Sequence, residues 1–313
     1  MKICMIGLGS IGTRHLKNLK KTLSARGITA EIDALRSTQR SLGSEIVNEI
    51  SAMYHSFEDM PADYDIVFVT NPTSIHFETI RAVSGKTRHL FIEKPVFSET
   101  NVDLSELNLI KGNIYYVACP LRYKSVLRRL KEIIAGEWIF SVRAICSSYL
   151  PDWRKGVDYR MVYSAKKELG GGVVLDLIHE WDYLRWLFGD PLDISMLQGR
   201  FSDLTIDTDD LAVYLARYSD KVVELHLDYF GRKPQRKIEL FCKDHTITVD
   251  IMSNRICWAD SAGEGEEQLE NNDFYLDEMN NFLDMVLLGT PNENSIEWAY
   301  DTLRIAKGEL QKA

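Results

Sequence analysis

Apolar residues follow two rhythms along this chain, and the change from one to the other falls near residue 120. Before it, short continuous apolar runs alternate with segments of helical period. Lys2 to Gly7 is a strand pattern running straight into glycines, and Thr13 to Ser24 has helical character. A second strand pattern, Ile28 to Leu35, is followed by Ser37 to Ser51, where Leu42, Ile46 and Ile50 recur at i, i+4 and i+8, the spacing of one helix face. Asp65 to Thr70 is an apolar run of strand length stopped by Asn71-Pro72. His76 to Val83 then reads as helix, Leu90 to Ile92 as strand, and Asn113 to Ala118 as the strand that closes the series. Strands that are apolar throughout and alternate with helices predict a parallel sheet covered on both faces, an α/β Rossmann N-terminal domain over residues 1–120.

Beyond residue 120 the pattern is different. Lys124 to Ala135 is an amphipathic helix through Val126, Leu127, Leu130, Ile133 and Ile134, and a strand follows around Phe140 to Cys146. An aromatic and charged segment, Tyr149 to Lys167, leads to one helix from the triple glycine Gly170-Gly171-Gly172 to Phe188. Strand-like runs then come at Leu211 to Arg217, Val222 to Tyr229, Lys237 to Cys242, Thr246 to Ile251 and Arg255 to Trp258. The acidic Glu264 to Glu270 reads as a solvated loop, and Asp273 to Leu288 and Ser295 to Lys312 as closing helices. Strands joined by short turns predict an α+β C-terminal domain, residues 121–313, with a large, mostly antiparallel open sheet. Its uncovered face predicts self-association, as a homodimer or homotetramer.

Composition narrows the class. With 45% hydrophobic and 27% charged residues the 313-residue chain is an ordinary globular protein of about two domains. No apolar run reaches the ~20 residues of a membrane span, and the stretch before Gly7 is too short for a signal peptide, so a cytoplasmic location is expected. A net charge of −9 argues against a nucleic-acid partner. The five cysteines, Cys4, Cys119, Cys146, Cys242 and Cys257, are far apart and form no C-x-x-C pair, so neither disulfides nor a metal site is expected.

The candidate chemistry starts at Gly7-Leu8-Gly9-Ser10-Ile11-Gly12. Gly7, Gly9 and Gly12 fit the G-x-G-x-x-G fingerprint after a strand and before a helix, where backbone N–H groups and the helix dipole meet a pyrophosphate. Ser10 and Ile11 belong to the same turn. Cofactor choice depends on where the second strand ends. Ending at Ile32 it would offer Asp33 to the ribose hydroxyls of NAD; ending at Leu35 it would offer Arg36, with Ser37 and Thr38, to the 2′-phosphate of NADP, the bland alternative being that Arg36 and Arg40 form a solvated helix start. The apolar Ala34 and Leu35 favour the later ending, hence NADP over NAD. Downstream, Glu93-Lys94-Pro95 closes a strand and places a cation where such a sheet presents groups to its ligand. Asp176, His179 and Glu180 follow the triple glycine at spacings that would put all three on one helix face.

GLGSIG, Asn71-Pro72-Thr73-Ser74-Ile75-His76, Glu93-Lys94-Pro95 and Gly170 to Asp182 together resemble the Gfo/Idh/MocA family, the glucose-fructose oxidoreductase and inositol dehydrogenase type, over nearly the whole chain. The resemblance implies hydride transfer between a nicotinamide and a secondary alcohol or ketone of a sugar, cyclitol or nucleotide sugar. It implies that Lys94 and His179 are the catalytic pair, that Asp176 supports them, and that the Lys94-Pro95 bond is cis. Asn71, Pro72, His76, Glu93 and Lys94 would join the glycine turn in binding the cofactor. An imidazole near its ordinary pKa suits removal of a hydroxyl proton, and an ammonium group suits a developing alkoxide. The family's usual spacing from aspartate to histidine is four, whereas here four residues lead from Asp176 to Glu180 and three to His179, so both stand as candidate bases. Tyr149, Trp153, Tyr159 and Tyr163, and more weakly Arg122, Tyr123 and His226, resemble substrate-pocket positions, since aromatic faces suit sugar rings. The D-L-x-H-E helix is similar to that of members in surface-sugar biosynthesis, an analogy that tilts the substrate towards an activated sugar. A catalytically silent dinucleotide-binding regulator and chemistry through transient oxidation are the competing readings.

Overall fold

In the computed structural model, which describes residues 1–37 and 42–310, the continuous apolar runs pair into a parallel sheet. Its strands are β1 (Lys2–Ile6), β2 (Glu31–Leu35), β3 (Met53–Tyr54), β4 (Tyr64–Val69), β5 (Thr87–Ile92) and β6 (Tyr115–Val117), in the order β3-β2-β1-β4-β5-β6. Helices α1 (Ser10–Ala25), α2 (Ser44–Val47) and α3 (His76–Val83) make the crossovers. Ile3, Met5, Ile66, Phe68 and Phe91 have no solvent exposure, as strands covered on both faces require. The order reverses between β1 and β4. A doubly wound sheet binds ligands in the crevice that such a reversal opens beyond the strands' carboxyl ends.

The helix expected over Ser37 to Ser51 is one turn, Ser44–Val47. Beyond it the chain is drawn to the sheet edge, where the Ser51 N–H donates to Ile32 O (2.7 Å) and the Ala34 N–H to Ala52 O (2.9 Å), and adds the unanticipated β3. The readings placed on Thr38, Arg40 and Lys312 lie outside the described residues.

The second sheet has eight strands: β7 (Ile139–Tyr149), β8 (Asp193–Gly199), β9 (Leu211–Arg217), β10 (Val222–Asp228), β11 (Phe230–Cys242), β12 (His245–Asp250), β13 (Arg255–Asp260) and β14 (Gly263–Gln268). They run in the order β14-β13-β12-β11-β7-β10-β9-β8, antiparallel except for the β7–β10 pair. Along β9 and β10, buried Ala212, Tyr214, Ala216, Val223, Leu225 and Leu227 alternate with more accessible neighbours, the period of a sheet covered on one face. The acidic stretch expected to be a loop is the edge strand β14, because its backbone pairs with β13 while Glu264 and Glu266 face water and Glu267 pairs with Arg129 at 3.0 Å, a charged composition that protects an open edge. With this sheet go α4 (Ser125–Ile133), α5 (Val173–Asp176) and α6 (His179–Phe188).

Helices α7 (Phe274–Leu288) and α8 (Ile296–Ala306) close the chain. The stretch from Tyr275 to Tyr300 packs with the first sheet: Phe282 stands among Phe68, Phe91 and Tyr116 at ring separations of 5.9, 5.1 and 5.8 Å, and the Val117 N–H donates to Asn294 O at 2.9 Å. Two compact units result, Met1–Ala118 with Tyr275–Tyr300, and Cys119–Phe274 with Asp301–Ala313. All five cysteines are free thiols. No described helix is long and apolar enough to cross a membrane.

Candidate active site

In the first unit the glycine turn is shaped by close approach. A Cβ on Gly12 would stand 2.2 Å from Gly7 O and 2.6 Å from Thr70 Oγ1, so only hydrogen fits between α1 and the strand ends. The Thr70 hydroxyl donates to Gly7 O at 2.6 Å and fastens the turn to the end of β4. Gly9 is the opposite case. A Cβ there would meet nothing within 4 Å, no side chain caps α1, and its first turn holds no acid, so its unpaired N–H groups face an open cradle that fits a pyrophosphate. Ser10 and Ile11 lie in that first turn.

Strand β2 ends at Leu35, and Arg36 and Ser37 follow. Asp33 lies inside the strand, 1% exposed, accepting the Tyr64 hydroxyl at 2.7 Å. The residue at the strand's end is therefore Arg36, whose N–H donates to Tyr54 O at 3.0 Å.

The lysine motif leaves β5, and its Lys94-Pro95 bond is cis. Glu93 faces inward, with Oε1 2.5 Å from His15 Nε2 and Oε2 accepting the Lys94 N–H at 3.1 Å. His15, on α1, is fully buried against Phe91, at a ring separation of 4.7 Å. Burial pushes the Glu93 carboxyl up, but the hydrogen bond and charge of His15, with the charge of Lys94, outweigh it and hold the group below the usual carboxylate range. His76 is also fully buried: Nδ1 lies 3.0 Å from Pro95 O and Nε2 3.0 Å from Asn71 O, and burial lowers its pKa. It braces the loop after β4 against the lysine motif. The Asn71 amide donates to Thr79 Oγ1 at 2.7 Å, and Pro72 leads into the short 3-10 turn Thr73–Ile75.

In the second unit the triple glycine makes room for Asp209. Gly172 has φ +122°, and a Cβ there would lie 2.5 Å from Asp209 Oδ1. The Asp209 carboxylate accepts the Val174 N–H at 3.0 Å and its backbone carbonyl accepts that of Val173 at 3.1 Å, which starts α5. Burial, then the charge of Asp176, pushes the Asp209 carboxyl up. One turn later Leu177, at φ −97° and ψ 20°, ends α5, and α6 begins at His179. The expected single helix is two, so Asp176, His179 and Glu180 do not share one continuous helix face. Asp176 accepts the Tyr229 hydroxyl at 2.6 Å and is half-buried, as is His179. Glu180 is fully buried: it accepts the Tyr183 hydroxyl at 2.5 Å and has Arg236 Nε 2.9 Å from Oε1, an ion pair off the hydrogen-bond line. Burial raises the Glu180 carboxyl against the pull of Arg236.

Trp153 links the aromatic segment to Asp176 through Tyr229. The Trp153 ring, 39% exposed, meets Tyr229 edge-on at 5.2 Å, and the Tyr229 hydroxyl holds Asp176. Arg232 lies over the Tyr149 ring at 3.7 Å. Tyr163 donates to Gly170 O at 2.6 Å, and the Tyr159 hydroxyl accepts the Thr205 N–H at 3.2 Å. Arg122 is buried and grips Asp182 with two bonds of 2.9 and 2.6 Å, so its guanidinium is committed to the protein interior. Tyr123 is buried too, and His226 pairs with Asp228 at 2.9 Å. Sequence reasoning missed His15, Thr70, Asp209, Tyr229 and Arg236. Only His15 left a signal, a polar residue in the apolar stripe of Leu16, Leu19 and Leu23.

Comparison with known proteins agrees with this organisation. Residues 1–116 match the model of an oxidoreductase family with an NAD-binding Rossmann fold, and residues 127–248 match a GFO/IDH/MocA C-terminal domain. The chain is 26% identical over 315 residues to a myo-inositol 2-dehydrogenase of Thermotoga maritima, covering 93% of this chain and 90% of that protein. Its fold resembles that of the UDP-N-acetylglucosamine 3-dehydrogenase from Acidithiobacillus ferrooxidans, with a TM-score of 0.74 at 19% identity, covering 98% of this chain and 95% of the other. It also resembles a levoglucosan dehydrogenase in complex with NADH and L-sorbose, with a TM-score of 0.83 at 16% identity and coverage of 100% and 96%.

Proposed function

We propose that this chain, which belongs to the Gfo/Idh/MocA family of oxidoreductases, transfers a hydride between a nicotinamide cofactor and a CH–OH group of a sugar, cyclitol or nucleotide-linked sugar. The observation that carries the proposal is the pairing, within one sheet, of an open glycine cradle at α1 with a lysine motif whose glutamate is anchored to the same helix. The substrate class rests on relatives named as dehydrogenases of inositol and of UDP-N-acetylglucosamine. The narrower reading, an activated sugar of surface-sugar biosynthesis, rests on the Asp176 to Glu180 sequence.

When bound, the nicotinamide supplies the hydride acceptor or donor. The chain's own residues do the rest. The first turn of α1 binds the pyrophosphate, and Arg36, at the end of β2, favours the 2′-phosphate of NADP. Lys94 holds positive charge at the substrate oxygen, stabilising an alkoxide in oxidation and polarising a ketone in reduction. His179 takes the hydroxyl proton at an imidazole nitrogen. Asp176, held by Tyr229, orients it. Glu180 is not the base in this reading, because its carboxylate is enclosed with Tyr183 and Arg236.

Incubation of the protein with NADPH and a panel of ketosugars, cyclitol ketones and nucleotide ketosugars tests the activity: substrate-dependent loss of NADPH absorbance is expected. Lys94→Met should abolish that turnover and leave NADPH affinity near wild type. Binding of NADPH with no turnover on any substrate would favour a silent regulator instead.

The uncovered face of the second sheet supports self-association as a homodimer or homotetramer. Leu197 and Leu215 are 59% and 53% exposed there and line a groove of about 820 Å³ with Val213 and Ile145. Light scattering on the eluted protein should give a mass above that of one chain.

A further inference from the structure

Glu137, Cys242 and His245 bring one carboxylate oxygen, one sulfur and one imidazole nitrogen within 4.8 Å of one another. We propose that these three residues form a zinc site at the end of the second sheet, separate from the residues assigned to hydride transfer.

The ladder fixes where the donors stand. Cys242 is the last residue of β11 and pairs with Ile139, while His245 opens β12 after a two-residue turn of Lys243 and Asp244. The Lys243 N–H donates to Trp138 O at 3.0 Å, which holds that turn against the segment carrying Glu137. Two donors on a C-x-x-H hairpin and a third on the adjoining chain make a chelate whose backbone is already closed.

The donor chemistry suits zinc. Thiolate, imidazole and carboxylate are all zinc ligands, and three protein ligands leave a fourth tetrahedral position for water. Tetrahedral ligands on bonds of about 2.0–2.3 Å lie roughly 3.3–3.8 Å apart. The His245 Nε2 to Glu137 Oε2 separation, 3.7 Å, already falls in that range, and the Cys242 sulfur lies within 4.8 Å of both donors. Thiolate and carboxylate together cancel the charge of a divalent ion, with the imidazole neutral. The Cys242 thiol is buried, whereas the Glu137 and His245 side chains are 28% and 23% exposed, which gives an ion a way in. Zinc binds the thiolate, so taking up the ion would release the Cys242 proton. Binding then tightens as pH rises.

Cobalt(II) in place of zinc reads the site directly. Titration of the metal-free chain should give one thiolate-to-cobalt charge-transfer band that saturates at one ion per chain and is displaced by zinc. Cys242→Ser should remove the band while the circular dichroism spectrum stays that of wild type. His245→Gln and Glu137→Gln should each weaken zinc binding at least about tenfold in competition with a chromophoric chelator. Cys257→Ser, at the half-buried cysteine of β13, should leave the band unchanged. A wild-type chain without the band, or a band that survives in Cys242→Ser, overturns the proposal.

Discussion

Replacing His15 by leucine isolates the buried pair that anchors the lysine motif. His15 has no exposure and Glu93 is 7% exposed, so the variant leaves a carboxylate enclosed with the Lys94 N–H as its described hydrogen-bond donor. Leaving a buried carboxylate uncompensated costs about 3–5 kcal/mol. Leucine fills most of the imidazole's volume, which keeps the packing loss below about 1.5 kcal/mol. The expected total, a roughly 10²- to 10⁵-fold shift in the folding equilibrium, is therefore mostly electrostatic. The pH dependence gives the sign. In the wild type the Glu93 carboxyl is held below its usual range, so its contribution is complete above the unfolded value of about 4.3 and is lost as pH falls through the lower folded value. Without His15, burial acts against the charged form, so the variant's deficit widens as pH rises from about 5 to 7. Urea denaturation followed by circular dichroism at both pH values measures it. The double variant His15→Leu/Glu93→Leu should recover most of the loss, because replacing a whole buried pair by apolar groups is close to neutral. A deficit below about 1 kcal/mol at pH 7, or one of equal size at pH 5, would refute the electrostatic account.

Gly12→Ala forces a methyl group against Gly7 O and should weaken NADPH binding by more than about tenfold in a fluorescence titration; unchanged affinity would mean the turn can open. Arg36→Ala should lower the preference for NADPH over NADH roughly 10- to 100-fold, the worth of a charged hydrogen bond, and an unchanged ratio of Kd values would remove Arg36 from the phosphate site. His179→Ala should abolish the base limb of the pH–rate profile, whereas Glu180→Gln should leave that limb in place and lower stability instead; the reverse result would make Glu180 the base.

The doubly wound half was legible because its strands are apolar on both faces, a signal that survives without knowledge of their partners. The second sheet was harder to read. β8 carries Ser195 and Gln198 among its apolar residues, and β14 is mostly glutamate and glycine, so neither has the hydrophobic period that marks a strand; pairing with β9 and β13 makes them strands. The glycine turn and the lysine motif were visible as spacings. The residues that hold them were not: His15 lies 78 positions from Glu93, Tyr229 lies 53 from Asp176, and a hydrogen bond across such a distance leaves no local period. The break at Leu177 escaped notice for a related reason. No glycine or proline lies between residues 173 and 188 to mark it, and α6 starts beyond it with Glu180 packed inward against Tyr183 and Arg236.

The return of the chain to its first unit has a consequence for how the molecule is made. Phe68, Phe91 and Tyr116 are synthesised early, but Phe282 and Asn294, which cover and pair with that part of the sheet, leave the ribosome only after residues 119–274. The amino-terminal sheet, first to be translated, is therefore among the last parts to complete its core. During that interval its aromatic face stays uncovered, the period in which a nascent chain is most exposed to aggregation and most in need of a chaperone.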